Sequence, residues 1–157
     1  MDKIDREIIR QLQKDGRLTN QELSERINLS PSPCLRRVKN LERQAVIVGY
    51  TALVDQEKYG LGLDVFVQIK LEKSTEELIE IFETAIDEID EILECYLITG
   101  TSDYLLHIVS QNLKSYEIFM REKLTKIPGI ATVETSISFG TVKKKHSFPM
   151  MREFKNT

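Results

Sequence analysis

The sequence predicts an α+β protein with two domains, an N-terminal winged helix-turn-helix head and a C-terminal ferredoxin-like βαββαβ tail. Two short, capped helical segments lie within residues 19–43, and the second is rich in cations. A strand–helix–strand pattern then starts near residue 65 and recurs 38 residues later. At 157 residues, of which 41% are hydrophobic and 30% charged, the chain is long enough for two small domains.

The first two helices of the head are predicted from apolar spacing and capping residues. Residues 2–14 place Ile4, Ile8, Ile9 and Leu12 on one helical face, and Asp15-Gly16 ends that helix. Thr19 and Glu22 have the spacing of a capping box, in which each side chain accepts the other residue's backbone N–H. The second helix is therefore expected to begin near Asn20.

A third helix is predicted to follow the segment Ser30-Pro31-Ser32-Pro33, because proline suits a first helical turn. Its expected inward stripe is Cys34, Leu35, Val38 and Leu41. The outer face and its edges would carry Ser32, Arg36, Arg37, Lys39, Asn40 and Arg43. Guanidinium groups with this spacing suit guanine edges and phosphates in a major groove, although a charged helix face is also often simply solvated.

The rest of the head region supports DNA binding. Residues 46–54, VIVGYTALV, are predicted to form a β-hairpin wing. Residues 1–54, taken as the DNA-binding domain, hold ten Lys and Arg against seven Asp and Glu, a net charge of +3. Residues 55–157 hold twelve against eighteen, a net charge of −6. The cations are therefore concentrated where DNA contact is expected.

Residues 55–62 are predicted to be a linker, and residues 63–157 the tail. Two similar units are expected there, each with a strand, a helix and a second strand. In the first, strand 65–71 precedes a helical face and a strand that starts at Ile92; the face is formed by Leu78, Ile79, Phe82, Ile86 and Ile89. In the second, strand 104–110 precedes a helical face and a strand that starts at Ile130; the face is formed by Tyr116, Phe119, Met120, Leu124 and Ile127.

Both tail helices are expected on one face of the sheet, which leaves the other face partly apolar and uncovered. Such a face is most simply covered by a second copy of the chain. A homodimer would hold two recognition helices roughly 34 Å apart and would read a palindromic double-stranded DNA site.

Several classes of protein are not expected. No apolar run reaches roughly 18 residues, and the acidic start lacks the pattern of a secretion signal, so a cytoplasmic, nucleoid-associated protein without membrane contact is expected. Cys34 and Cys95 are predicted to be buried, reduced thiols without metal-ligand spacing. No cofactor is expected, and no nucleophile–base arrangement indicates an enzyme. Lys143, Lys144 and Lys145 are predicted to be a solvated strand extension, with a DNA contact or an ion pair between dimers as alternatives.

The segment LTNQELSERINLSPSPCLRRVKNLERQAVIVGYTALV, together with GTSDYLL at residues 100–106, resembles the Lrp/AsnC family of transcription regulators. The resemblance covers nearly the whole chain and is particularly close to the family's leucine-responsive branch. It implies a winged helix-turn-helix on DNA and a tail that assembles dimers into tetramers, octamers or larger discs. It also implies an amino-acid effector held between dimers.

The resemblance places the recognition helix at Ser32–Arg43. It implies that Arg36, Arg37, Lys39 and Arg43 contact bases or phosphates, with an ion pair within the head as the alternative for Arg43. Anchoring contacts to the DNA backbone would come from Thr19, Asn20, Ser30 and Ser32.

The resemblance places the effector site at Gly100, Thr101, Ser102, Asp103 and Tyr104. Turn N–H groups there would hold an α-carboxylate, and the Asp103 carboxylate would accept from an α-ammonium. An ordinary β-turn is the alternative. Thr135, Ser136 and Ser138 are candidates for the same cleft in a neighbouring dimer, or are simply strand residues.

Two functions remain open at this point. One is a sequence-specific regulator whose assembly or DNA binding responds to an amino acid. The other is a nucleoid-organising protein that wraps DNA without an effector. A ligand-binding or catalytic tail with a degenerate head is a more distant alternative.

Overall fold

The head contains three helices in the computed structural model, which describes residues 1–149. Their bounds are α1 Lys3–Lys14, α2 Asn20–Arg26 and α3 Pro31–Arg43. A capping box that was not predicted starts α1, in which the Asp5 N–H donates to Asp2 Oδ1 and the Asp2 N–H to Asp5 Oδ2, both at 2.9 Å. The centre of the head is formed by the buried side chains of Ile8, Leu23, Cys34 and Leu41.

The turn between α2 and α3 is closed by a Schellman motif. The Leu29 N–H donates to the Ser24 carbonyl oxygen at 2.9 Å and the Asn28 N–H to the Glu25 carbonyl oxygen at 3.2 Å. Asn28 takes the left-handed conformation, with φ 54°, which asparagine tolerates better than most residues. This turn therefore sets the direction in which α3 leaves α2.

The end of α3 has the same Schellman motif, but an alanine, Ala45, occupies the left-handed position that asparagine occupies at the end of α2. The Val46 N–H donates to the Leu41 carbonyl oxygen and the Ala45 N–H to that of Glu42, both at 2.9 Å. Ala45 has φ 53°, a conformation in which its Cβ is crowded.

Ala45→Gly is therefore expected to raise the free energy of unfolding by about 0.5–1 kcal/mol, because glycine removes the crowded Cβ. Urea unfolding followed by circular dichroism measures the change. Ala52→Gly is the matched control, since Ala52 lies outside helices and strands and lacks a positive φ. An Ala45→Gly protein no more stable than Ala52→Gly would contradict the argument.

The predicted hairpin wing at residues 46–54 is wrong. The structure assigns no strand to that segment. Its first residues instead complete the end of α3, and the Tyr50 hydroxyl donates to Glu42 Oε1 at 2.9 Å. The segment's hydrogen bonds therefore go back to α3 rather than to a partner strand.

The tail has the predicted βαββαβ order. Its elements are β1 Leu63–Leu71, α4 Glu76–Asp87, β2 Ile92–Leu97, β3 Tyr104–Ser110, α5 Leu113–Glu122 and β4 Ile130–Ile137. All strand pairs are antiparallel, in the order β2-β3-β1-β4. This is the sheet expected for a ferredoxin-like fold.

The tail core lies between the sheet and its two helices. Val65, Val67 and Ile69 of β1 and Phe82 of α4 are fully buried there, and Phe119 of α5 is almost fully buried. One detail of the predicted repeat is wrong, because α5 ends at Glu122 and Leu124 lies on a separate 3-10 turn, Leu124–Lys126. Leu124 and Ile127 still enter the same core.

The face of the sheet opposite the helices is more polar than expected. The Phe66 side chain is 39% exposed there, and its ring stacks on that of His107 with 4.8 Å between centroids. His107 Nε2 also lies 2.7 Å from Asp64 Oδ1, and its Nδ1 lies 3.7 Å from Glu94 Oε2. The exposed face is therefore a mixed polar and aromatic surface.

The chain divides into two compact units that differ slightly from the predicted domains. Residues 54–142 form the unit that contains the sheet, whereas residues 143–149 group with residues 1–53. The Phe148 N–H donates to Gln13 Oε1 of α1 at 3.2 Å, which explains this grouping. Lys143–Lys145 are thus not a strand extension, since β4 ends at Ile137. Residues 150–157, also assigned to the tail by prediction, lie outside the described residues.

Candidate nucleic-acid interface and effector loop

The outer face of α3 forms a shallow surface groove with a basic lining. The ion-paired residues Asp5 and Arg37 are part of its lining, and the remaining lining residues are Ser32, Leu35, Arg36, Lys39, Asn40 and Arg43. Every predicted outward residue of α3 lines this groove, which confirms the outward placement of these residues, whereas their contact with DNA stays a prediction. We refer to it below as the α3 groove.

The cations of the α3 groove differ in whether they already have hydrogen-bond or ion-pair partners within the protein. Arg36 and Lys39 are exposed, and within residues 1–149 neither has a hydrogen bond or an ion pair. The Arg43 Nη2 donates to Asn40 Oδ1 at 2.7 Å, so Arg43 is oriented by its neighbour rather than paired with a carboxylate. Arg36 and Lys39 therefore keep all their donors for an external acceptor.

Arg37 has a structural partner instead. Its Nη1 lies 2.8 Å from Asp2 Oδ2 and 2.7 Å from Asp5 Oδ1, so it joins the middle of α3 to the start of α1. About a third of its side chain, 32%, remains exposed. A DNA contact by Arg37 stays a prediction, but such a contact would compete with these two carboxylates.

Arg37→Ala is expected to lower the melting temperature of the head and to weaken DNA binding less than Lys39→Ala does. The pKa of Asp2 is held below its ordinary value by the Asp5 N–H and then by Arg37. Because the folded-state pKa is lowered, this contribution is present at neutral pH and is lost as the pH falls below about 4. Between pH 7 and pH 2, the melting temperatures of the wild type and Arg37→Ala should therefore begin to approach each other once the pH falls below about 4. A constant difference across that range would contradict the assignment.

Of the predicted backbone anchors Thr19, Asn20 and Ser30, two use their side chains within the head. The Thr19 hydroxyl accepts the Glu22 N–H at 3.2 Å and the Thr19 N–H donates to Glu22 Oε2 at 2.8 Å, which confirms the capping box. The Asn20 Nδ2 donates to the Pro31 carbonyl oxygen at 2.9 Å and so connects α2 to α3. Ser30 is the N-cap of α3, but its side chain makes no capping hydrogen bond. Of these three side chains, only that of Ser30 therefore makes no hydrogen bond that caps or connects the head helices.

Sequence reasoning misplaced one residue of this surface, Leu35, and one residue near the end of α3, Tyr50. Leu35 was assigned to the inward stripe, but its side chain is 42% exposed and lines the α3 groove. Tyr50 was assigned to the wing, but burial and its bond to Glu42 raise its pKa to about 12. To place Leu35 correctly, the apolar face of α3 would have to be positioned on the helix to within one residue.

The predicted effector loop joins β2 to β3, and it is fastened to the end of β1. The Asp103 Oδ2 accepts the Leu71 N–H at 2.8 Å, and the Asp103 N–H donates to the Ile69 carbonyl oxygen at 2.8 Å. The Lys70 Nζ donates to the Thr101 carbonyl oxygen at 3.0 Å. Gly100 has φ 129°, a conformation that glycine accepts readily. The loop therefore has a defined shape that depends on Asp103.

Asp103→Ala is expected to lower the free energy of unfolding by about 1–3 kcal/mol, because the partly buried Leu71 N–H loses its acceptor. This corrects the simple expectation that Asp103 is free to accept an ammonium group. Asp103→Asn keeps a carbonyl oxygen and should lose less stability. Equal stability for the wild type and Asp103→Ala in urea unfolding would contradict the bracing role.

The other predicted effector residues do not converge within one chain. Tyr104 is buried in the tail core, where burial and its bond to Glu83 Oε1 raise its pKa to about 12. Thr135 pairs with Val67 on the helix-covered face, and its Oγ1 lies 2.8 Å from the Tyr116 hydroxyl. Ser136 pairs with Phe66 and so lies on the opposite face, while the Ser138 N–H donates to the Asp64 carbonyl oxygen at the far end of β1.

Cys95 is exposed on β2, so its predicted burial is wrong, whereas Cys34 is buried as predicted. Partial desolvation of the Cys95 thiol and the negative charge of the nearby Glu83 raise the pKa of Cys95 to about 11, which favours the neutral thiol.

Among residues 1–149, no group of His, Cys, Asp and Glu side chains is arranged to hold a metal ion. Within the same residues, no helix has the length and apolar character needed to cross a membrane.

A capped helix pair with a basic second helix, joined to a ferredoxin-like tail, defines a class of DNA-binding regulators that carry a ligand-binding domain. A family model described as a winged helix-turn-helix DNA-binding domain matches residues 1–48, and one described as the Lrp/AsnC ligand-binding domain matches residues 64–148. The chain belongs to the Lrp/AsnC family of transcription regulators. Its relatives regulate transcription and are not enzymes.

Individual relatives agree with this membership. The leucine-responsive regulatory protein of Escherichia coli is 42% identical over 146 residues, which cover 93% of this chain and 89% of that protein. The structure of a transcriptional regulator from Neisseria meningitidis in complex with L-Met matches with a TM-score of 0.91, at 36% identity over 95% of this chain and 96% of that one. An AsnC-family regulator from Agrobacterium tumefaciens matches with a TM-score of 0.90, at 32% identity over 95% of this chain and 97% of that one.

Proposed function

We propose that this regulator binds a palindromic DNA site through the α3 groove of two copies and changes its assembly when an amino acid binds at the loop between β2 and β3. The observation that carries the DNA part is the set of outward donors on α3. Arg36 and Lys39 have no partner among residues 1–149, and Arg43 is oriented by Asn40. Cations on the outer face of the second helix of such a pair suit the major groove.

The effector part is supported by the shape of the loop and by a relative. Gly100, Thr101 and Ser102 do not donate their backbone N–H groups to any described residue, and successive turn N–H groups can hold a carboxylate. The Neisseria meningitidis regulator is described in complex with L-Met. We therefore propose a free amino acid as the effector class, with Asp103 positioning the loop.

Assembly is supported by exposed apolar side chains on two parts of the tail. Edge strand β2 exposes Leu93 to 55% and Leu97 to 75%, and the open sheet face exposes Phe66. An unpaired edge and an aromatic open face are surfaces that a second copy can cover. We propose a homodimer that covers these surfaces, and an effector cleft between neighbouring dimers to which Ser136 or Ser138 could contribute. Thr135 lies on the opposite sheet face from Ser136 and is bonded to Tyr116, so Thr135 and Ser136 would not contact the same effector.

The experiment has two readouts on the full chain. Duplex sites are first selected from a random library, and their binding is then measured by gel shift with each of the twenty amino acids. The same amino acids are screened by thermal shift and by sizing of the particle. An amino acid that shifts the melting temperature and changes particle size or DNA complexes supports the proposal.

An effector-independent, nucleoid-organising role is the second candidate, and the commitment of Asp103 to Leu71 favours it. It predicts extended DNA protection that no amino acid changes. If none of the twenty alters footprint, size or melting temperature, the sensing proposal is contradicted while DNA binding stands.

A further inference from the structure

Leu35 lies on the surface of α3 that the proposed function turns toward DNA. Its side chain is 42% exposed, and it is not among the apolar side chains that pack on the head core. Ser32 lies one helical turn before it and Lys39 one turn after, and all three line the α3 groove. Leu35 is thus an apolar group among hydrogen-bond donors.

A single exposed leucine needs no explanation by itself, since apolar atoms cover much of any protein surface. Its position is informative because the groove around it also holds Arg36 and Arg43. An apolar protein partner at Leu35 would have to desolvate these cations at a cost. A DNA major groove instead offers anionic phosphates to the cations and one apolar group on its base edges, the C5-methyl of thymine.

We infer that Leu35 contacts the C5-methyl group of a thymine and so determines base preference at one position of each half-site. The inference rests on the proposed placement of α3 in the major groove. Leu35 is the fifth residue of α3, and the N-terminal part of a recognition helix is the part that reaches base edges. Leu35 would therefore select thymine over cytosine, which lacks the methyl group.

The test changes only the methyl group. In a duplex site selected by the full-length protein from a random library, each thymine is replaced in turn by deoxyuridine, which keeps the base pair and removes the methyl. Wild-type protein should lose about four-fold in affinity at one position per half-site, the loss expected for one contacted methyl group. Leu35→Ala should bind the thymine and uracil versions of that position equally.

Two variants serve as controls. Leu35→Met keeps an apolar side chain of similar volume and should retain the preference for thymine. Leu113→Ala removes a 60% exposed leucine from α5 and should leave the uracil scan unchanged. Melting curves establish that each variant is folded.

Failure of the inference and failure of the proposed function give different results. If no uracil position weakens wild-type binding, or if Leu35→Ala still prefers thymine, the inference is wrong although DNA binding by α3 stands. If the protein selects no duplex, or if Lys39→Gln binds the selected site at wild-type strength, the proposed α3 interface itself is wrong.

Discussion

The triple variant Arg36→Gln, Lys39→Gln, Arg43→Gln is expected to bind its selected DNA site at least about 100-fold more weakly than the wild type. Each of these contacts to bases or phosphates contributes about 1–3 kcal/mol, and three together exceed the 2.7 kcal/mol that corresponds to about 100-fold. All three side chains are exposed on the α3 groove, so the fold should persist. Gel shifts over a range of salt concentrations measure both affinity and the number of phosphates contacted.

The salt dependence distinguishes DNA contact from a general loss of charge. For each phosphate contact removed, the slope of log affinity against log salt should become shallower by about 0.9. A matched triple variant in the tail, Lys114→Gln, Arg121→Gln, Lys126→Gln, removes the same charge from a surface outside the α3 groove. If both triples weaken binding equally, the effect comes from net charge and the recognition surface has been misplaced.

Phe82→Ala is expected to have the largest effect on stability, lowering the free energy of unfolding of the tail by about 3–5 kcal/mol. Phe82 is fully buried, and its ring packs on Tyr104 with 4.6 Å between centroids. Tyr104 directly follows the effector loop, so any effector response should be lost with the fold of the tail. Urea unfolding with circular dichroism measures the change.

Ile81→Ala is the neighbouring control on α4, because its side chain is 39% exposed. It should cost about 1 kcal/mol or less, since little buried area is lost. A similar loss of stability for both variants would mean that α4 turns a different face toward the core than the one described.

Features that depend on nearby residues were predictable from the sequence. The partners of the Thr19–Glu22 capping box are three positions apart, and strand β3 was predicted with its observed bounds, residues 104–110. The internal repeat also placed the start of β4 at Ile130. In each case the stabilising partner lies within a few residues or follows the alternation of a single strand.

Features that depend on distant partners were not predictable. Arg37 looks like a DNA contact in sequence because the carboxylates that bind it, Asp2 and Asp5, lie more than thirty residues earlier. In sequence, Asp103 looks like a free turn carboxylate, because Leu71, whose N–H it accepts, also lies more than thirty residues earlier. Leu35 was misassigned because it adjoins the buried Cys34, and one helical position rotates a side chain by about 100°.

The return of residues 143–149 to the unit formed by residues 1–53 has a consequence for how the molecule is made and divided. The sheet unit, residues 54–142, is continuous and emerges from the ribosome as one piece, whereas the head receives its last segment only after the whole sheet unit has been synthesised. A protease cut within residues 138–142 would break the covalent link between the sheet unit and the segment that contains Lys143–Lys145. That segment would then be held to the rest of the head only by non-covalent contacts, such as that of Phe148 with Gln13. No single cut separates the two units completely.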